Sequence, residues 1–150
     1  MRVAEKVPPF RGKRRTILIV DDHVSLATCL EMLLESHGYE VWRTADGTGG
    51  LKSIKLKDFD AILCDLVMPG LSGDALHAAV GLLKPHLCDR FIFMTGHPDK
   101  LPEVESEVRV DRPILRKPFP VQDLLEAIES VMNNNASNSA QATAMTPATL

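Results

Sequence analysis

The chain has 150 residues, 45% hydrophobic and 25% charged, which sets the expectation of one globular domain with enough apolar material for a core. A net charge of −3 and a pI near 5.9 argue against bulk attraction to nucleic acid or anionic lipid, and no run of 18 apolar residues offers a membrane span. Three widely spaced cysteines with no CxxC pair, and no apolar h-region at the N-terminus, fit a reducing compartment, with the cytoplasm as the expected location.

Residues 1–15 carry Pro8, Pro9 and the basic run Arg11-Gly12-Lys13-Arg14-Arg15, and read as a flexible arm. A solvated lead-in to the first strand explains that run better than a nucleic-acid contact, since no aromatic or glycine motif accompanies it. Ile17–Val20 is a short apolar run, the pattern of a buried parallel strand, and it ends on Asp21-Asp22. Leu26, Cys29, Leu30, Leu33 and Leu34 then form one helical face, with Gly38 as the residue that stops the helix. Residues 40–44 are β-prone. A helix near 46–56 is weakened by Gly47, Gly49 and Gly50.

The second apolar run, Ala61–Cys64, ends on Asp65. Ser72 is an N-cap candidate for a third helix, whose face is Leu76, Ala79, Val80 and Leu83. The run Phe91–Met94 ends on Thr95. Pro98 and Pro102 confine any helix after it to about 99–108. The run Pro113–Arg116 ends on Lys117. Pro120 suits a first helical turn, and Val121, Leu124, Leu125, Ile128 and Met132 give the last helix its core face. Cys29 and Cys64 read as core, and the five histidines, without ligand spacing, as surface or loop residues. Residues 133–150 are nearly free of charge, hold no aromatic, and read as a disordered tail, leaving 16–132 as the folded unit.

Five strand–helix repeats of this length imply a doubly wound parallel sheet with helices on both faces. Ligands of such sheets bind beyond the carboxyl ends of the strands. If the apolar runs are neighbours, one crevice collects carboxylates suited to a hard cation and a hydroxyl and an ammonium suited to an anion. That set would hold a phosphoryl group beside a divalent metal.

The acidic pair Asp21-Asp22, the segment Asp65-Leu66-Val67-Met68-Pro69-Gly70-Leu71-Ser72-Gly73, the pair Thr95-Gly96 and Lys117-Pro118-Phe119 together resemble the response-regulator receiver domain of two-component signalling, in the variant found on hybrid histidine kinases. The resemblance covers 16–132. It implies a flavodoxin-like (βα)5 fold with strand order 2-1-3-4-5. It implies that Asp65 accepts phosphate from a histidine kinase or histidine phosphotransfer protein. Mg²⁺ would be held by Asp21, Asp22, Asp65 and the backbone carbonyl of Val67, Lys117 would pair with a phosphoryl oxygen, and Thr95 would bond another. Such a domain is no classical enzyme; it catalyses only its own phosphorylation and dephosphorylation, and signals to a downstream protein target. No nucleic-acid or membrane contact is expected, and no output domain is expected on this chain. Two departures stand out. Ile114 occupies the place of the family's usual Tyr or Phe, and Val67 is apolar where many members are polar. The alternative functions are a phospho-independent pseudo-receiver and a haloacid-dehalogenase-type phosphatase. The first would lose the Asp or Lys positions, and none is lost. The second needs an Asp where Val67 stands.

Overall fold

The computed structural model describes residues 13–96 and 113–148, with side chains as far as Asn134. The strands are β1 (Thr16–Val20), β2 (Glu40–Thr44), β3 (Ala61–Asp65), β4 (Phe91–Thr95) and β5 (Ile114–Arg116). The helices are α1 (Val24–Ser36), α2 (Gly47–Leu56), α3 (Gly73–Leu83) and α4 (Val121–Ala148), with a 3-10 turn at Pro85–Arg90. All strand pairs are parallel, in the order β2-β1-β3-β4-β5. This is the expected flavodoxin-like sheet.

The central strands β1, β3 and β4 are buried along their whole length. Their apolar runs are continuous because each face of the sheet has its own core. Leu18, Val20, Ile62, Cys64, Phe91 and Phe93 point to the side of α2 and α3. Ile17, Ile19, Ala61, Leu63, Ile92 and Met94 point to the side of α1 and α4. Each fully buried Val, Leu, Ile, Phe or Met among them contributes about 1.5–3 kcal/mol.

Helix α2 forms despite its glycines. The Asp46 carboxylate accepts from the Gly49 N–H at 2.6 Å and caps it. A side chain at Gly47 would overlap the Leu71 carbonyl oxygen. The glycine that lowers helix propensity is thus what lets α2 seat against the β3–α3 loop. Gly38, at φ +90°, closes α1 as expected.

Other expectations are corrected. The buried stripe of α1 is Ala27, Leu30 and Leu34, and Cys29 is exposed, because the small Ala27 turns the helix toward the sheet; Cys64 is core. In α3 only Gly73, Leu76 and Val80 are buried, and Leu83 is exposed where Pro85 redirects the chain. Ser72 caps α3 through its carbonyl, which accepts from the Leu76 N–H at 2.9 Å, and its side chain makes no cap bond. Pro120 precedes α4 rather than entering its first turn, and its carbonyl accepts from the Asp123 N–H at 3.1 Å. Val121 is exposed, and Val131 takes its place in the core. His77 is half-buried, edge-on to Phe91 at 4.9 Å. The backbone of α4 is helical through Ala148, past the limit at 132 expected for the folded unit. Extending an established helix needs no new nucleus, and among the described side chains the last buried ones are Val131 and Met132. The helix expected at 99–108 lies outside the described residues. No helix among them is long and apolar enough to cross a membrane.

Candidate functional site

Parallel pairing brings the carboxyl ends of β1, β3, β4 and β5 to one edge. Val20 pairs with Cys64, Asp65 with Met94 and Thr95 with Arg116. Backbone bonds continue just beyond the strands. Asp21 N–H donates to Thr44 O at 3.1 Å, Leu66 N–H to Met94 O at 2.8 Å, and Lys117 N–H to Thr95 O at 2.7 Å. The residues that carry the chemistry are therefore held by the sheet itself.

Lys117 Nζ lies 2.8 Å from Asp21 Oδ2 and 2.9 Å from Asp65 Oδ2. The other Asp21 oxygen accepts from the His23 N–H at 2.9 Å, and Asp65 Oδ1 accepts from the Val67 N–H at 3.1 Å. Both carboxylates are thus oriented by two donors each. Asp21 and Asp65 are buried, at 1% and 5% exposure, whereas Asp22 is exposed. The acidic pair is therefore not equivalent: Asp21 is the inner member and Asp22 the solvent-side one. Thr95 is also buried, between the strand that ends on Asp65 and the one that leads to Lys117.

Carboxylate oxygens of Asp21, Asp22 and Asp65 all lie within 4.8 Å of one another. At that distance the two buried carboxylates repel by roughly 3 kcal/mol at an effective dielectric of about 20. One ammonium cannot neutralise three carboxylates. Burial pushes Asp65 above the usual carboxylate range; the Lys117 ammonium and the Val67 N–H oppose that, and Asp21 adds to it. Burial alone would lower Lys117, but its hydrogen bonds to Asp21 and Asp65 outweigh it and hold the ammonium above its ordinary value. An all-oxygen, net-negative donor set with one solvent-side member fits Mg²⁺, which favours carboxylates and keeps several waters. Val67 joins the cluster through its N–H.

Sequence reasoning gathered Asp21, Asp22, Asp65, Thr95 and Lys117 correctly to one edge. It missed two supporting features. The His23 N–H on Asp21 follows from the turn into α1, and no side-chain pattern marks it. Gly73 is the other: a Cβ there would overlap the carbonyl oxygen of Asp65. Gly73→Ala is expected to push α3 away from the Asp65 loop and destabilise the protein by about 1–3 kcal/mol, read as a lower midpoint in urea unfolding. An unchanged midpoint would show that the loop yields freely.

The fold and this crevice define a class: flavodoxin-like α/β domains with a lysine-capped acidic cluster at the carboxyl edge of the sheet. The chain belongs to the response regulator receiver domain family, whose model matches residues 17–129. It is 32% identical over 117 residues to the tetrathionate response regulatory protein TtrR of Salmonella typhimurium, covering 78% of this chain and 56% of that one. It is 28% identical over 118 residues to the response regulator receiver protein CpdR of Brucella abortus, covering 79% of this chain and 97% of that one. The chain thus spans little more than half the length of the first relative and nearly all of the second. Among solved structures, the receiver domain protein from Methanospirillum hungatei JF-1 superposes with a TM-score of 0.74 at 28% identity, covering 84% of this chain and 99% of that one. Receiver domains are signalling domains of two-component systems rather than classical enzymes, and they bind Mg²⁺ at an acidic cluster of this kind.

Proposed function

We propose that this domain takes a phosphoryl group onto Asp65 from a phosphohistidine of a histidine kinase or histidine phosphotransfer protein, and signals the change to a protein target. The observation that carries the reading is the double engagement of Lys117 with Asp21 and Asp65 at 2.8 and 2.9 Å. One Asp65 oxygen attacks phosphorus, the P–N bond breaks, and the imidazole nitrogen keeps the electron pair. The product is an acyl phosphate. Val67 N–H and Lys117 Nζ hold the Asp65 carboxylate in place, so that little reorganisation precedes attack. After transfer, Lys117 is the point-charge partner for a phosphoryl oxygen, and the buried Thr95 hydroxyl donates to another. Mg²⁺, held by Asp21, Asp22, Asp65 and the Val67 carbonyl, would supply charge neutralisation for the incoming dianion. The receiver unit is 16–132, and the last helix continues beyond it to Ala148. We place the domain in the cytoplasm.

Incubation with acetyl phosphate and Mg²⁺, followed by intact mass, tests the proposal. A gain of one phosphoryl group, lost in EDTA, is expected. Labelling undiminished by EDTA would remove the metal role. No labelling with Mg²⁺ present would favour the pseudo-receiver reading.

The metal has a readout independent of phosphate. A ligand that binds only the folded state stabilises it by about 2.7 kcal/mol at a hundredfold excess over Kd. Mg²⁺ is expected to raise Tm by several degrees in the native protein and by little in Asp22→Ala, checked by scanning calorimetry. Equal shifts in both would exclude Asp22 as a ligand.

A further inference from the structure

The acidic crevice occupies one end of the sheet, and the opposite end is basic. Lys13, Arg14 and Arg15 lie just before β1 and are all exposed. Two concavities flank Arg14 and Arg15. One, of about 330 Å³, is lined by Arg14, Arg15, His37, Gly38 and Tyr39, and has no carboxylate in its wall. The other, of about 290 Å³, shares the two arginines and adds Lys13, Lys57 and Arg90. Arg15 Nη1 lies 3.4 Å from the Met132 sulfur, a weak acceptor that leaves most of the guanidinium's donors uncommitted to it. Among the described residues no ion pair within 4 Å engages Arg14 or Arg15; at the second hollow Lys57 pairs with Glu40, and Asp58 pairs with Lys84 and His86. Concentrated positive charge on a chain of net charge −3 makes the molecule strongly dipolar.

We propose that this basic end is a docking surface for an acidic polypeptide segment of a protein partner. Its carboxylates would take the paired N–H donors of Arg14 and Arg15, which match carboxylate geometry two bonds at a time. Tyr39 and the glycine beside it shape the carboxylate-free hollow. A nucleic-acid backbone fits less well. Duplex DNA carries a charge about every 1.7 Å, and the second hollow presents Asp58 and Asp60 to it. A peptide can place a few carboxylates on the arginines and leave those two acids alone. The crevice repels the same segment, so the field directs it to the basic end. Strands of five residues separate the two ends, and binding is independent of the state of Asp65.

The test uses a fluorescein-labelled oligoglutamate of about a dozen residues as probe, read by anisotropy at low and physiological salt, with single-stranded and duplex DNA as parallel probes. The oligoglutamate should bind the native chain, weaken steeply with salt, and lose about tenfold or more in affinity in R14E/R15E. It should bind K52E/K55E, which reverses exposed charges on α2, and D65N as it binds the native protein. Circular dichroism and retained acetyl phosphate labelling show that R14E/R15E is folded. Three results would each overturn the proposal: no binding by the native chain, equal binding by R14E/R15E, or tighter binding of DNA than of oligoglutamate.

Discussion

Asp65→Asn is expected to abolish phosphorylation while raising the stability of the metal-free protein. The amide cannot act as a nucleophile, so labelling by acetyl phosphate should fall by at least about a hundredfold, as expected when an activated nucleophile is removed. The stability effect follows from the direction of the carboxyl's shift. Burial raises Asp65 above its value in the unfolded chain, so at neutral pH the folded state bears the cost of keeping it ionised. That cost is absent below the unfolded value, where both states are protonated, and present in full once pH exceeds the folded value. Asparagine keeps an acceptor for Lys117 and removes the charge. The Tm of the variant should therefore exceed that of the native protein near pH 7, and the gap should close as pH falls through the raised folded value and below the ordinary carboxylate range. Melting curves with EDTA across that window check it. A variant less stable at pH 7 than the native protein would show that the Lys117 bridge outweighs the cost of burying the charge and the repulsion from Asp21.

Lys117→Ala should act in the opposite direction. It removes the ammonium from two buried carboxylates, 2.8 and 2.9 Å away, and leaves both without their cation. Breaking a buried pair on one side costs about 3–5 kcal/mol in general. The partly exposed lysine places this site at the low end, about 3 kcal/mol. The native contribution is fully present below the ordinary lysine value and fades as pH rises through the elevated folded value. In the variant, acid should restore stability as the buried Asp65 takes up a proton, and Mg²⁺ should raise Tm more than in the native protein, because a divalent ion replaces the missing charge. Calorimetry with and without Mg²⁺ measures both. The phosphorylated variant should also lack the spectral change that accompanies phosphorylation of the native protein. A native-like change, or a Tm indifferent to Mg²⁺ and acid, would remove Lys117 from its assigned place.

Ile114 bears on how such a change would spread. It begins β5, pairs with Phe93 and is half-buried against the α2–α3 core. An aliphatic residue there offers no hydroxyl to exchange between interior and solvent. The residues that would respond next, 97–112, lie outside the described structure.

Much of this protein is legible from local pattern. Apolar runs of four residues ending on Asp21, Asp65 and Thr95 announce the buried parallel strands β1, β3 and β4, because a strand covered on both faces needs no polar alternation, whereas the run that ends on Lys117 forms β5, a partly exposed edge strand. Alternation with helical stripes determines a doubly wound sheet, and parallel pairing then obliges all the strand ends to meet. The site residues were found by that route, without any contact being known. The tertiary structure decided what depends on distance and approach. It separated Asp21 from Asp22, since burial is a property of the packed crevice and not of two adjacent identical residues. It rotated α1 onto Ala27 and left Cys29 in solvent, because close approach to the sheet favours the smaller residue. It made Gly47 and Gly73 necessary, since neighbouring backbone fills the space where a Cβ would lie. It placed Lys117 between two carboxylates from separate strands, which raises the ammonium's value, while burial raises Asp65 against that same bridge. Propensity and period act over a few residues, whereas charge, burial and steric exclusion are set by neighbours that only the folded chain brings within reach.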